Sequence, residues 1–308
     1  MSSLEGLASE YVAVKRALGF TLNRTERLLA QFSQYLRQEN ITVITVPVML
    51  AWATSPHRST HWHSDRLSVL RVFARWANVF DSGIPIPPTS LLPYRRNRST
   101  AFIYSDAEVA ALLGAADRIR SAMVADTYRS LISLLWCTGM RVGEAIALDR
   151  TDLVEGVLTV RGAKFGKTRL VPVHPTVVDA LTAYGARRDA VLGEIDTGAL
   201  FASIAGTRLI YKNVHFHFHR LIISAGITAR SPGCRPRIHD LRHSFAVTTM
   251  LTAYRDGAVP AEVLPVLSTY LGHVSTASTY WYLQAEPVLL AEAARWLAPM
   301  DSGSEVGQ

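Results

Sequence analysis

The sequence predicts a mainly helical α+β protein with one small β-hairpin, divided into two domains. Apolar residues recur at helical spacing through residues 4–80, which indicates several amphipathic helices there. Further along, two short runs rich in β-branched residues flank Gly162 and Gly166, which predicts antiparallel strands joined by a turn. A chain of 308 residues is long enough for about two domains, each with its own core.

The first domain is predicted at residues 1–90. Its buried helical stripes are predicted to be Leu28, Leu29, Phe32, Tyr35 and Leu36, followed by Leu67, Leu70, Phe73, Ala74 and Ala77. Pro47 fits the first position of a further helix that follows Thr45 and Val46. Four prolines between Asp81 and Pro93 exclude a continuous helix or a central strand. We therefore expect a basic linker at residues 91–103.

The second domain is predicted at residues 104–308. Ser105 and Glu108 have the spacing of a helix capping box. A long helix is expected from about Ala122 to Cys137, because Gly139 provides a stop signal. The predicted strands are residues 157–160 and 169–173, and later helices are predicted at residues 238–251, 261–270 and 287–297.

The composition excludes several classes of protein. Hydrophobic residues make up 49% and charged residues 19% of the chain, which excludes disorder over most of its length. The longest apolar run, Leu131 to Cys137, is far short of a membrane span, and the N-terminus lacks the pattern of a signal peptide. With only two cysteines, Cys137 and Cys234, no disulfide framework is expected. We expect a bacterial cytoplasmic protein with reduced thiols and no membrane association.

The net charge of +7 favours a polyanionic partner. Residues 1–80 carry 9 basic and 5 acidic side chains, whereas residues 101–308 carry 20 and 19. Two basic clusters lie within the balanced part: Arg161, Lys164, Lys167 and Arg169, then Arg230, Arg235, Arg237 and Arg242. Such clusters suit phosphates, although a charge cluster more often marks a solvated face.

Two familiar site motifs are incomplete, one because of its spacing and the other because of a missing residue. Gly166-Lys167-Thr168 is preceded by Gly162 with three intervening residues where a P-loop needs four, and no helix follows. His239 and His243 are four residues apart, but the glutamate of a zincin helix is absent. The run His215-Phe-His217-Phe-His219 lacks a matching carboxylate or cysteine, so its histidines are expected on a helix surface, alternating with core aromatics. No metal and no cofactor is expected.

Four segments carry candidate chemistry. They are Cys137-Thr-Gly-Met-Arg141-Val-Gly-Glu144, the hairpin around Lys164, Ile238-His239-Asp-Leu-Arg242, and Tyr270-Leu-Gly-His273 with Tyr280 and Tyr282 behind it. An arginine at a helix start suits an anion, and His239 and Arg242 at i and i+3 point the same way on a helix. Taken singly, each has an ordinary structural alternative: a capping arginine, a solvated hairpin tip or a core tyrosine.

In this order the segments resemble the tyrosine recombinase (phage integrase) family. The shared pattern is an arginine after a Thr-Gly turn, a lysine in a hairpin that ends in Leu-Val-Pro, His-x-x-Arg, Leu-Gly-His and a tyrosine. The resemblance spans residues 130–285, and Leu18-Gly-Phe20 with Ser278-Thr-Tyr-Trp-Tyr-Leu looks like the transposon-borne branch. It implies a helical core-binding domain that clamps DNA and an integrase-type catalytic domain.

The resemblance also implies an activity, namely site-specific cutting and rejoining of DNA through a 3′-phosphotyrosine, without metal or ATP, for integration or excision of a mobile element. Arg141 and Arg242 match the pair that clamps the phosphate, and Lys164 matches the general acid. His239 matches a proton-transfer residue and His273 a hydrogen-bond donor. Glu144 matches the acidic position that supports the site.

The nucleophile is expected to be Tyr282. Tyr280 and Tyr282 lie roughly 200° apart around one helix, so both cannot enter the same pocket. The family's spacing from His273 selects Tyr282. Tyr280 would then face packing.

The partners implied are double-stranded DNA sites and further copies of the chain, which would form a tetramer on two sites. The residues expected to contact DNA are Arg95, Arg96, Arg98, Arg161, Lys167, Arg169, Arg235 and Arg237. A helix at 286–298 would dock on a neighbouring subunit or on its own domain, and both options stay open. A requirement for partner recombinases of the same element is also open.

Two other classes of function share much of this pattern. A catalytically silent DNA-binding regulator would have the charge and the fold without needing Lys164 or Tyr282, and it would form no covalent DNA adduct. A type IB topoisomerase would share the residue set, but it would relax supercoils as a monomer without a defined site.

Overall fold

The computed structural model describes residues 4–55, 60–92, 100–163, 167–193, 195 and 197–272, except for the side chains of 162, 163, 167 and 260. The chain divides into two compact units, Met1–Arg98 and Ser99–Gln308. The predicted C-terminal helix (287–297, or 286–298 as a docking element) lies outside the described residues. No helix in the described part is long and apolar enough to cross a membrane.

The described part of the first unit is helical. Its helices are α1 (Leu4–Ala17), α2 (Asn23–Gln38), α3 (Val46–Thr54) and α4 (Thr60–Ala77). The two predicted apolar stripes are confirmed, because their residues are buried in one core, with Tyr35 partly buried. Thr45 accepts a hydrogen bond from Val48 N and caps α3. Pro47 is the second residue of that helix, not the first as predicted.

The described part of the second unit is built around a long central helix. In chain order its helices are α5 (Asp106–Asp117), α6 (Ala122–Thr138), α7 (Val142–Ala147), α8 (Pro175–Leu192), α9 (Tyr211–Ser224), α10 (Asp240–Arg255) and α11 (Pro260–Leu271). The central helix α6 packs against α5, α7, α8 and α10. The predicted capping box is confirmed, since Ser105 and Glu108 bond reciprocally at the start of α5.

A small antiparallel sheet lies within the second unit. Among the described residues it consists of β1 (Leu153–Val154), β2 (Val157–Ala163) and β3 (Lys167–Pro172), in the order β1-β2-β3. The predicted hairpin is confirmed as β2 and β3, with Val160 opposite Arg169. The sequence did not predict β1, because two residues are too few for an alternating pattern. Glu155 and Gly156, both with positive φ, form its tight turn into β2.

The mainly helical α+β class predicted from the sequence is confirmed. The second unit also takes in residues before Ser105, since Phe102 and Tyr104 are buried in its core. The last residues of the predicted linker 91–103 therefore pack with this unit. Along α9, Phe218 is buried but Phe216 is 60% exposed, so the expected alternation of surface histidines with core aromatics is wrong at Phe216.

Candidate active site

The site begins at a glycine that ends α6. Gly139 has a φ of +60°, and a Cβ at that position would lie 2.5 Å from the Phe245 ring and 2.9 Å from Leu271. The close packing and the left-handed backbone both require glycine. This turn places Arg141 as the N-cap of α7, as the sequence predicted for an arginine that opens a helix.

Glu144 is the charged centre of the site. Its side chain is 8% exposed. Arg141 donates to it from Nη1 (2.7 Å) and from its backbone N–H (2.9 Å). Arg169 donates from Nη1 (2.9 Å) and Nη2 (2.8 Å), one to each carboxylate oxygen. Burial disfavours the ionised form, but these donors outweigh burial and lower the pKa of Glu144 to about 2.

Arg242 lies under the same site. It is 1% exposed and donates from Nη1 to Gly139 O (2.8 Å) and from Nη2 to Leu271 O (2.7 Å). Its place in the first turn of α10 lets a short segment of chain bring the guanidinium into the core. Buried arginines require such acceptors, because their charge has left water.

His239 immediately precedes α10. The prediction that it lies within the helix is wrong, because α10 begins at Asp240 and His239 is its N-cap. It still stands one turn from Arg242, whose N–H donates to His239 O (3.2 Å). His239 is exposed to solvent. Desolvation by the surrounding protein and the charges of Arg242 and Arg141 nevertheless lower the pKa of its imidazole to about 4. The imidazole is therefore neutral at pH 7.

The end of α11 brings three arginines together. The consecutive carbonyls of Tyr270, Leu271 and Gly272 accept hydrogen bonds from Arg169 Nε (3.1 Å), Arg242 Nη2 (2.7 Å) and Arg141 Nη2 (3.5 Å). Cations suit this position, since the last carbonyls of a helix are unpaired and carry the negative end of its dipole. The next residue in the chain is His273.

Gly272 ends α11 with a φ of +69°. A Cβ there would lie 3.0 Å from Arg169 Nη1 and 3.2 Å from its Cζ. The guanidinium of Arg169 therefore packs directly on Gly272, where a larger residue would push it aside.

A second buried carboxylate, Asp240, lies at the start of α10. Arg237 donates to it from Nε (2.9 Å), Nη2 (2.7 Å) and its backbone N–H (3.1 Å). Burial raises the pKa of Asp240, with the Arg237 contacts acting in the opposite direction. Ser244 Oγ donates to Asp240 O (2.9 Å) and accepts from Tyr104 N (2.8 Å), which ties the start of the unit to α10.

The structure thus brings Arg141, Glu144, His239 and Arg242 to one place. Lys164, His273, Tyr282 and Tyr280 lie outside the described residues. Lys164 follows the last residue of β2 in the chain, and His273 follows Gly272. No group of three or more His, Cys, Asp or Glu side chains within the described ranges is placed to hold a metal ion.

The residues expected to contact DNA have different environments. Arg161 is exposed and paired with Asp152, and Arg235 is exposed. Arg237 is bound to Asp240. Arg169 is only 12% exposed and is bound to Glu144. Arg95, Arg96, Arg98 and the side chain of Lys167 lie outside the described part.

The sequence contained a signal that Arg169 faces the core, but the signal can be recognised only when the strand register is known. Side chains alternate along a strand, so Arg169 shares a face with Val171. Val171 is fully buried and pairs with buried Leu158. Leu170, which lies between Arg169 and Val171 in the strand, is 64% exposed. A basic residue on the buried face of a hairpin needs a carboxylate, and Glu144 is that partner.

Comparison with known proteins identifies the family. The model of the phage integrase family matches residues 104–287. The chain belongs to the phage integrase family. A Sinorhizobium fredii protein, y4rB, described as an integrase/recombinase, is 39% identical over 307 residues and covers 96% of this chain and 98% of that protein. The predicted family and the predicted enzyme class, a tyrosine-type site-specific DNA recombinase, are thereby confirmed.

Solved structures share the fold of this phage integrase family member. A XerH site-specific recombinase bound to its palindromic difH substrate in a post-cleavage complex has a TM-score of 0.65 and 21% identity, over 90% of this chain and 80% of that chain. A lambda integrase from a tetramer bound to a Holliday junction has a TM-score of 0.62 and 19% identity, over 91% of this chain and 76% of that chain.

Proposed function

We propose that this enzyme cuts and rejoins DNA at specific sites through a 3′-phosphotyrosine, without metal or ATP, in the integration or excision of a mobile element. The observation that carries the proposal is the convergence of Arg141 and Arg242 on the consecutive carbonyls of Gly272 and Leu271, next in the chain to His273. Two guanidinium groups held there suit a phosphodiester whose non-bridging oxygens gain charge in the transition state.

The proposed reaction needs a nucleophile and an acid. The Tyr282 Oη attacks the phosphorus, the bond to the 5′-oxygen breaks, and the 3′-phosphate becomes joined to the tyrosine. Lys164 protonates the departing 5′-oxygen. A lysine suits this step because it can release its proton, whereas arginine holds its proton at any pH near neutrality. The reverse reaction with a new 5′-hydroxyl rejoins the strand, so no energy source is consumed.

His239 has the charge state that proton transfer near the tyrosine requires. Its lowered pKa leaves the ring neutral at pH 7, so one ring nitrogen is free of a proton. A bound phosphate would add negative charge beside Arg141 and Arg242 and raise the pKa of the ring. The imidazole would then accept the tyrosine proton more readily as DNA binds.

The proposed partners are DNA and further copies of the chain. The resemblance to a family member crystallised as a tetramer on a Holliday junction supports assembly of a tetramer on two DNA sites. Affinity for DNA would come from phosphate contacts by exposed basic residues, including Arg161 and Arg235 in the described part.

The proposal is tested by trapping the covalent intermediate. The full chain is incubated with a pool of nicked duplexes of randomised sequence, in which the short fragment that carries the new 5′-hydroxyl diffuses away after cleavage. Adducts that survive SDS are recovered, the DNA is sequenced, and the modified peptide is mapped by mass spectrometry. We expect attachment at Tyr282 to a recurring sequence, in the presence of EDTA.

Matched variants identify the nucleophile and the acid. Tyr282→Phe should abolish the adduct and keep DNA binding, whereas Tyr280→Phe should stay active. Lys164→Arg should bind DNA and cleave very slowly, and a bridging 5′-sulfur should restore the rate, because a thiolate leaves without a proton. Lys167→Arg is the control in the same hairpin. Sequence-specific binding without any adduct, metal-dependent cleavage, or adducts at random sequences with relaxation by a monomer would each overturn the proposal.

A further inference from the structure

Arg169 lies on the buried face of β3 and joins two other elements. Its two Nη groups bind the two oxygens of Glu144 at 2.9 and 2.8 Å, and its Nε binds Tyr270 O at 3.1 Å. All three of its nitrogen atoms are therefore engaged: two bind Glu144 on α7, and the third binds Tyr270 on α11. The planar fork of a guanidinium suits this arrangement, and a lysine could not reproduce it.

The contacts of Arg169 reach two elements next to predicted site residues, α7 and the end of α11. It binds Glu144, the carboxylate that also accepts a hydrogen bond from Arg141 Nη1 at 2.7 Å. Directly, it packs on Gly272, the residue before His273. The same side chain also belongs to the strand that follows Lys164 in the hairpin. One arginine on the strand that follows Lys164 in the sequence thus contacts both α7, whose N-cap is Arg141, and the end of α11, which precedes His273.

We propose that Arg169 is a positioning residue for strand transfer: acting through Glu144 and the end of α11, it holds Arg141 and the Leu-Gly-His segment in place, and it does not itself contact DNA. The effect on catalysis rests on the function proposed above. The distinction from a DNA contact rests on the engagement of all three of its nitrogen atoms, Nη1 and Nη2 with Glu144 and Nε with Tyr270 O.

The test compares rate with affinity. Arg169→Met should slow adduct formation on the enriched duplex by about 100-fold, since a displacement near 1 Å has an effect of that size. Its affinity for the duplex and the salt dependence of binding should match wild type. Arg169→Lys should be intermediate, because it keeps charge but not the fork. In a double-mutant cycle, the effects of Glu144→Gln and Arg169→Met on the rate should be clearly less than additive, because both changes break the Glu144–Arg169 contact.

The control is Arg187→Met. Arg187 also forms a bidentate ion pair with a carboxylate in the second unit: its Nε and Nη2 lie 2.7 Å and 3.3 Å from the oxygens of Asp126. Its side chain, however, is 53% exposed. This variant should keep the wild-type rate. A loss of affinity in Arg169→Met with a salt slope lower by about one would show a phosphate contact and overturn the proposal.

A second measurement separates this proposal from the proposed function. In protein without DNA, hydrogen exchange at the Gly272 amide, which bonds to Thr269 O at 2.9 Å, should accelerate in Arg169→Met and Arg169→Lys but not in Arg187→Met. If wild type forms no adduct, the function fails while this exchange still decides whether Arg169 holds the segment. Unchanged exchange, or a wild-type adduct rate in Arg169→Met, would refute positioning by Arg169.

Discussion

Glu144 and Asp240 are two buried carboxylates in the same unit, and arginines hold both of them in forked contacts. Glu144 binds two arginines, one at the start of α7 and one on β3. Asp240 is bound by Arg237, three residues earlier in the same segment, and that arginine is 40% exposed. The pKa of Glu144 is lowered to about 2, whereas burial raises the pKa of Asp240.

The difference shows what a second, buried guanidinium does. Each buried carboxylate loses its hydration, and one solvated arginine offsets only part of that loss. The second arginine of Glu144 is 12% exposed and comes from a separate element, so it both stabilises the charge and joins the elements. Asp240 is bound chiefly by Arg237, three residues earlier, and also accepts from the backbone of Phe102. We therefore expect the Glu144 contacts to determine site geometry and the Asp240 contacts to affect mainly stability.

The largest expected effect is that of neutralising Glu144. Glu144→Gln removes the negative charge that Arg141 and Arg169 bind in a mostly buried site. Breaking a buried ion pair in this way lowers the free energy of unfolding by about 3–5 kcal/mol. Asp240→Asn should lower it by only about 1–3 kcal/mol, because water can solvate the exposed Arg237. Urea denaturation at pH 7 measures both. A larger loss in Asp240→Asn would reverse the comparison.

The pH dependence of stability should have opposite signs at the two carboxylates. The pKa of Glu144 is lowered from 4.5 to about 2, so its contribution, on the order of 3 kcal/mol, is present above pH 4.5 and is lost as the pH falls toward 2. The raised pKa of Asp240 has the opposite consequence: the unfavourable contribution of its charge is relieved as the pH falls.

Urea denaturation across this range checks the signs. Glu144→Gln should flatten the acid decline in the free energy of unfolding, and Asp240→Asn should steepen it. A decline that is the same in wild type and Glu144→Gln would show that Glu144 is not held ionised in the folded state.

A smaller effect is expected when Arg169 is displaced without loss of charge. Gly272→Ala places a Cβ 3.0 Å from Arg169 Nη1, and Glu144 prevents that group from swinging away freely. The matched control is Gly257→Ala, where φ is +75° and no atom lies within 4 Å of the added Cβ. Both variants lose about 1–2 kcal/mol to left-handed backbone. Gly272→Ala should lose about 1–2 kcal/mol more by thermal or urea unfolding, and equal losses would show that Arg169 can yield.

The smallest effect on stability is expected at a pair whose arginine is exposed. Arg161 binds buried Asp152 but is itself 58% exposed. Arg161→Met should lower the free energy of unfolding by about 1 kcal/mol, because Asp152 keeps the hydrogen bond from Asp149 N (2.8 Å). It should lower the log-log salt slope of DNA binding by about one unit if Arg161 makes the phosphate contact proposed for it. Binding titrations in increasing salt test this, and Arg169→Met, which should leave the slope unchanged, is the comparison.

Some elements follow from local sequence because the forces that make them are local. Ser105 with Glu108 predicted a capping box, and Gly139 predicted the end of α6, since caps and left-handed turns depend on neighbouring residues. The stripe from Leu67 to Ala77 predicted the buried face of α4 for the same reason. Errors occurred at boundaries: the helix predicted to begin at residue 238 begins two residues later, at Asp240, and leaves His239 as its N-cap.

The sequence by itself therefore determined the helical elements, the hairpin and the ordered residues that resemble the tyrosine recombinases, because these are encoded in spacing along the chain. Only the tertiary structure decided that Arg169 binds Glu144 across 25 residues and Tyr270 across 101 residues. It also decided that Arg141, Arg169 and Arg242 share one helix end. Partners so distant in sequence leave no periodic pattern, and a charged side chain reveals whether it faces water or a buried carboxylate only after the chain has folded.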